Sequence, residues 1–142
     1  MVVYFDTSAL VKRYIKEEGT EKVRDLFRKV KSIIVSGITK VELASTLKRS
    51  LIEKRIKESE YEKIWERIQK DFMDFQVVRF DEQVESRAIE TIEKHQIKTM
   101  DAIQIASFFL AKNEEILFVS CDTKMLNVIE AEKIKAINPL DT

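Results

Sequence analysis

Cysteine, proline and glycine are nearly missing from this chain, which has one Cys, one Pro and two Gly in 142 residues. With Cys121 alone, no internal disulfide can form, and a reducing compartment, the cytoplasm, is the expected home. So few Gly and Pro leave little room for long irregular loops and favour dense secondary structure. Long apolar runs are also missing. The longest, Ala102 to Ala111, is interrupted by Gln104 and Ser107 and falls short of the ~20 residues that cross a bilayer. No basic-then-apolar leader opens the chain, so no membrane association is expected. Net charge is zero, from 25 basic and 25 acidic residues, which removes bulk attraction to nucleic acid. His95 is the only histidine, and it reads as a surface or packed residue. No Ser–His–Asp or Cys–His arrangement is evident.

What is present is a chain 44% hydrophobic and 35% charged, which suits one globular domain spanning residues 1–142 with a single core. The charges are unevenly placed. Lys12 to Lys31 holds eight basic against four acidic residues, and Lys40 to Lys57 holds six against two. Asp81 to His95 reverses the balance, five acidic to two basic. These blocks read either as solvated helix faces with i,i+4 pairs or as a local anion-attracting surface.

Hydrophobic periodicity alternates strands with helices. Val2–Phe5 is apolar and β-branched, as a buried strand is. A helix opened by Thr7 or Ser8 runs to about Lys16. A second places Val23, Leu26, Phe27 and Val30 on one stripe. Ile33–Val35 is a second strand. Thr39 and Glu42 form a capping-box pattern opening a helix to about Lys54, with Leu43, Ala44, Leu47 and Leu51 inside. Ser59 and Glu62 form another, ahead of a stripe of Tyr61, Ile64, Trp65, Ile68 and Phe72. Phe75–Phe80 is a third strand. Asp81 caps a helix to about Glu93, and Thr99 one from Met100 to Lys112 that is apolar on nearly every side. Ile116–Ser120 and Lys135–Ile137 are strands flanking a helix from Thr123 to about Ala131. This alternation predicts an α/β fold, a three-layer α/β/α sandwich around a parallel sheet.

Four acids share a pattern. Asp6 ends the first strand and Asp122 follows the fourth, while Glu42 and Asp101 sit in the first turns of helices. Singly, each reads as a helix cap or a dipole partner worth ~0.3–1 kcal/mol. Asp101 fits that reading least, because it opens the helix expected to be most buried. Together, parallel strands bring Asp6 and Asp122 to one sheet edge, and helix starts can bring Glu42 and Asp101 there. Four neighbouring carboxylates repel, and a divalent cation removes that cost. Oxygen-only donors favour Mg²⁺ or Mn²⁺ over Zn²⁺. Such ions suit phosphodiester hydrolysis, in which they bind the scissile phosphate and lower the pKa of an attacking water.

These residues carry a resemblance over essentially the whole chain. The segments are Phe5-Asp6-Thr7-Ser8-Ala9-Leu10-Val11-Lys12-Arg13, Thr39-Lys40-Val41-Glu42-Leu43-Ala44, Met100-Asp101-Ala102-Ile103-Gln104-Ile105-Ala106, Phe118-Val119-Ser120-Cys121-Asp122 and Ile137-Asn138-Pro139. In this order and spacing they resemble PIN-domain ribonucleases, most of all the VapC toxins of type II toxin–antitoxin modules. The resemblance implies a PIN fold and an Mg²⁺- or Mn²⁺-dependent endoribonuclease. Asp6 and Asp101 would be the main metal ligands. Glu42 and Asp122 would complete the shell and orient the nucleophilic water. Ser8 and Ser120 stand where the family supplies supporting hydrogen bonds, and can equally be caps.

It further implies a homodimer and a VapB-type antitoxin whose C-terminal segment lies near the acids. The candidate surface is Tyr61, Trp65 and Phe72 with the helices around Leu10 and Leu47; ordinary core packing is the competing reading of those aromatics. Lys12, Arg13, Lys40, Lys48 and Arg49, on helices that begin at Asp6 or Glu42, are candidate RNA phosphate contacts or plain solvated surface. Lys112 to Glu115 offers nothing that names an RNA target. Two other functions compete. One is a non-catalytic PIN-fold binding or scaffold protein. The other is a phosphatase or phosphotransferase with Asp6 as covalent nucleophile, disfavoured because Ser8 stands where the haloacid-dehalogenase pattern wants a second Asp.

Overall fold

The computed structural model describes residues 1–111 and 115–141. Its first strand, β1 (Val2–Phe5), occupies the middle of a five-stranded sheet of order β3-β2-β1-β4-β5. β2 is Ser32–Ser36, β3 Gln76–Val78, β4 Ile116–Val119 and β5 Ala136–Ile137, and every pairing is parallel. The helices are α1 (Thr7–Tyr14), α2 (Thr20–Lys29), α3 (Thr39–Ile52), α4 (Glu58–Phe72), α5 (Glu82–His95), α6 (Thr99–Ala111) and α7 (Thr123–Ala131). No helix among the described residues is long and apolar enough to cross a membrane.

The strands are apolar on both faces, as strands covered by helices on both sides must be. Val3, Phe5, Ile33, Val35, Leu117 and Val119 face one way and join Ala9, Leu10, Val23, Leu43, Leu47 and Ile68 from α1 to α4. Tyr4, Ile34, Ile116 and Phe118 face the other way and join α5, α6 and α7 through Val84, Ala88, Ile105, Phe108 and Ile129. The two layers of helices are therefore the two crossover directions of a doubly wound sheet. In the second layer Tyr4 stacks on Phe118 at 5.6 Å and meets Phe108 edge-on at 5.5 Å. As its apolar pattern predicts, α6 is deeply buried, with Ala102, Gln104, Ile105, Ala106, Ser107 and Phe108 all enclosed.

Several helix starts differ from expectation. Asp6, not Thr7 or Ser8, caps α1, its side chain accepting from the Ala9 amide. α3 begins at Thr39 with no side-chain cap, so the expected box of Thr39 and Glu42 does not form. Both side chains are taken by Gln104 instead, as described below. α4 starts two residues early: Glu60, not Glu62, reaches back to accept from the Lys57 amide at 3.0 Å, and Ser59 lies within the first turn. β3 is shorter than Phe75–Phe80 because Phe75 turns into the aromatic cluster with Phe72 (5.0 Å) and Phe27 (6.1 Å). Asp81 caps α5 and Asp122 caps α7, each accepting an amide three residues on. The predicted end of α6 at Lys112, and the segment to Glu114, lie outside the described residues.

Candidate active site

Chain direction reverses across the sheet between β1 and β4. From β1 the chain winds outward through β2 to β3, then returns to β4 on the opposite side of β1 and continues to β5. The carboxyl ends of strands flanking such a reversal form the crevice where open α/β sheets bind ligands. Phe5 pairs with Val119 in register, and the Asp6 amide donates to Val119 O at 3.1 Å. Asp6 and Ser120, the residues that follow these two strands, therefore emerge side by side, with Asp122 two residues further on.

Asp6 is 1% exposed. One carboxylate oxygen, Oδ1, accepts from the Ala9 amide at 3.1 Å and from Ser8 Oγ at 2.8 Å. The other, Oδ2, accepts from Ser120 Oγ at 2.9 Å, and Ser8 Oγ lies 3.0 Å from it as well. The two serines also organise the loop after β4: Ser8 Oγ accepts from the Cys121 amide and Ser120 Oγ from the Asp122 amide, both at 3.0 Å. Burial pushes the Asp6 carboxyl up from 3.8 to about 7; Ser8, Ser120 and Ala9 oppose this, and the charge of Asp122 adds to it.

Glu42 approaches through α3. Its Oε1 accepts from Thr7 Oγ1 at 2.6 Å and from Gln104 Nε2 at 2.8 Å. The Gln104 amide also donates toward Thr7 Oγ1 and Thr39 Oγ1, each at 3.0 Å, while its Oε1 accepts from the buried Tyr4 hydroxyl at 2.7 Å. A buried amide must find such partners, and this need is what draws Thr39 and Glu42 away from capping α3. Asp101 stands half-exposed in the first turn of α6, so it avoids the burial its helix suggested. Its carboxyl is nonetheless raised, first by desolvation and then by the charges of Asp122 and Glu42, against Lys98 and Lys124.

Asp122 thus bears on both Asp6 and Asp101, and Glu42 on Asp101. Among the described residues, however, no three His, Cys, Asp or Glu side chains stand close enough together to hold a metal ion as placed. The oxygen-only donor set fits a hard divalent cation, and the repulsion felt by Asp6 and Asp101 is what such a cation would relieve. Ligation would require the side chains to turn toward one another.

The PIN domain family model matches residues 3–131. The chain belongs to the PIN-domain family. Comparison with proteins of curated function gives no match. Among solved structures, the PIN chain is similar to FitAcB from Neisseria gonorrhoeae, at 17% identity and a TM-score of 0.73, covering 99% of each chain. It is similar to a toxin–antitoxin complex from Klebsiella pneumoniae, at 16% identity and 0.71, also covering 99% of each. A third similar structure is Mycobacterium tuberculosis VapC20, described as a sarcin–ricin-loop-cleaving toxin, at 14% identity and 0.69, covering 89% of this chain and 94% of that one. At such identities the likeness is one of fold.

Of the basic residues read as phosphate contacts, two serve this PIN fold internally. Lys12 is buried and pairs with Glu17 at 2.9 Å. Arg13 bonds Asp71 on α4 at 2.9 Å and lies 3.9 Å over the Phe27 ring. Lys40 leans on Phe72 (5.7 Å) and Lys48 on Tyr61 (5.5 Å), while exposed Arg49 reaches Ser45 at 3.5 Å. The stripe of Tyr61, Trp65 and Phe72 packs against the first core cluster, and Leu10 and Leu47 are fully inside it. One side of those aromatics is thus packed on the core while the rest stays partly exposed, and Leu10 and Leu47 themselves are enclosed. The residue that sequence reading passed over is Gln104. Its signal was visible, as an amide interrupting the most apolar helix, but its four partners come from β1, α1 and α3, whose convergence only the fold reveals.

Proposed function

We propose that the chain is an endoribonuclease dependent on Mg²⁺ or Mn²⁺, and the toxin of a toxin–antitoxin pair. What supports this reading is that Asp6 and Asp122 follow adjacent strands at the chain reversal, that Asp122 raises Asp6 in part, and that Asp122 and Glu42 raise Asp101 in part. Asp6 and Asp101 are the main candidate ligands, with Asp122 and Glu42 completing the set. A bound divalent cation would supply Lewis-acid activation of the scissile phosphate and a more acidic attacking water. The chain's own contribution is positioning. Ser8 and Ser120 fix the orientation of the Asp6 carboxylate, and Gln104 with Thr7 fixes Glu42 Oε1.

The toxin role is supported by PIN-family membership and by structural neighbours that include a toxin–antitoxin complex. It carries with it a VapB-type antitoxin as partner, a homodimer as the working form, RNA as substrate and the cytoplasm as its place of action. The test is incubation of purified protein with total RNA in Mg²⁺, Mn²⁺ or EDTA, beside Asp6→Asn. Discrete cuts that need the metal and vanish in a folded Asp6→Asn are expected. Metal-independent cutting, or full activity in the variant, overturns the reading.

A second reading, a PIN fold that grips a partner without catalysis, draws on one observation. Glu42 Oε1 and both Asp6 oxygens already have hydrogen-bond donors within the protein. Failure of the protein to bind Mg²⁺ in calorimetry would favour it.

A further inference from the structure

A cavity of about 190 Å³ opens on the same edge of the sheet as the acids. Gly37 after β2, Lys40 in the first turn of α3, Gln69, Phe72 and Met73 at the end of α4, and Arg79 after β3 are among its walls. β2 neighbours β1, so the cavity lies beside the chain-reversal crevice. Lys40 and Glu42 are two residues apart on one helix, about 200° around its axis. Glu42 accordingly reaches Thr7 and Gln104, while Lys40 leans the other way, over Phe72. The start of α3 is the wall between crevice and cavity.

The chemistry of the cavity differs from that of the crevice. No acidic residue lines it. Neither Lys40 nor Arg79 takes part in an ion pair among the described residues, in a chain where Lys12, Arg13, Arg24, Arg28, Arg55 and Lys94 all do. The Phe72 ring, the Gln69 amide and the Met73 thioether share the lining with Ser36, Gly37 and Val77, and Met73 is left 85% exposed. Two unpaired cations beside a stacking surface and a donor–acceptor amide match a single-stranded nucleotide, which needs phosphate neutralised, base stacked and base edge read.

We propose that this cavity binds one nucleotide of single-stranded RNA flanking the scissile bond. Its phosphate lies on Lys40 and Arg79, and its base lies against Phe72 and Met73 with Gln69 at its edge. This rests on the nuclease reading above, and makes the cavity a determinant of which sequence is cut.

The test is fluorescence-anisotropy binding of labelled single-stranded oligoribonucleotides, U8, C8 and A8, to the full chain in EDTA over a salt series. Lys40→Met and Arg79→Gln should each weaken binding several-fold and lower the slope of log affinity against log salt by about 0.7. Lys40→Arg should restore both. Gln69→Leu should reorder the three oligonucleotides with the slope unchanged. Wild-type affinity and slope in the two charge variants, or no binding of any oligonucleotide by the wild type, overturns the proposal. Asp6→Asn separates the two readings: it should bind like wild type and fail to cut. Metal-dependent cutting by a protein whose cavity variants bind normally would sink the cavity alone.

Discussion

Asp6 is a carboxylate held out of water, and that position has a pH signature. Its folded pKa of about 7 lies above the ordinary 3.8, so the folded state holds the proton more tightly than the unfolded chain does. The resulting stabilisation is complete below the ordinary carboxylate value and is lost as pH rises through about 7. A displacement of that size corresponds to on the order of 4 kcal/mol when the group is fully ionised. Metal-free protein in EDTA should therefore melt at progressively lower temperature as pH rises from 3.8 to about 7, and level off above that. Asp6→Asn, with no charge to bury, should show a flatter profile and exceed the wild type at pH 8; parallel profiles would contradict this. Gln104 is the other decisive residue. Gln104→Leu keeps the volume but removes the donor to Glu42 and the side-chain acceptor of Tyr4, so thermal unfolding should report a loss of about 1–3 kcal/mol. RNA cleavage should fall further than stability does, because Glu42 loses its anchor. The acids themselves were legible because each ends a strand or opens a helix, positions that sequence pattern marks. Gln104 was not, because its role depends on three elements distant in sequence.

Among the helices, capping signals gave the right elements with shifted starts. The Thr39–Glu42 and Ser59–Glu62 patterns both satisfy the capping rule, yet α3 has no side-chain cap and α4 uses Glu60. In α3 a buried tertiary partner outcompetes a local one; in α4 an equivalent acid two residues earlier wins. Local pattern cannot rank such competitors. The same limit explains Arg13, which reads as surface charge but fastens α1 to α4 through Asp71, whose Oδ2 also accepts from the Tyr14 hydroxyl at 2.7 Å. Both side chains of the Arg13–Asp71 pair are under 20% exposed, at 16% and 17%, so removing the cation strands a largely buried carboxylate. Arg13→Met should cost about 1–3 kcal/mol by denaturant unfolding while leaving oligoribonucleotide affinity within error of wild type. Unchanged stability with weakened RNA binding would return Arg13 to the role its position in the sequence suggested.

Across the whole molecule, strand and helix order was legible because parallel strands buried on both faces are continuously apolar and the connections between them are amphipathic. The order β3-β2-β1-β4-β5 was not, since apolar strands carry no label for their neighbours. That order is what gives the acids their meaning: it places Asp6 and Asp122 after adjacent strands where the winding reverses, with Asp101 in the electrostatic field of Asp122 and Glu42. The central claim is that these four act as one cation site. Calorimetric titration of Mn²⁺ into the wild type and into Asp6→Asn and Asp101→Asn tests it most directly. Saturable binding by the wild type, weakened at least about tenfold in each folded variant, is the expected result. Equal affinity in all three proteins, or no binding by the wild type, would contradict it.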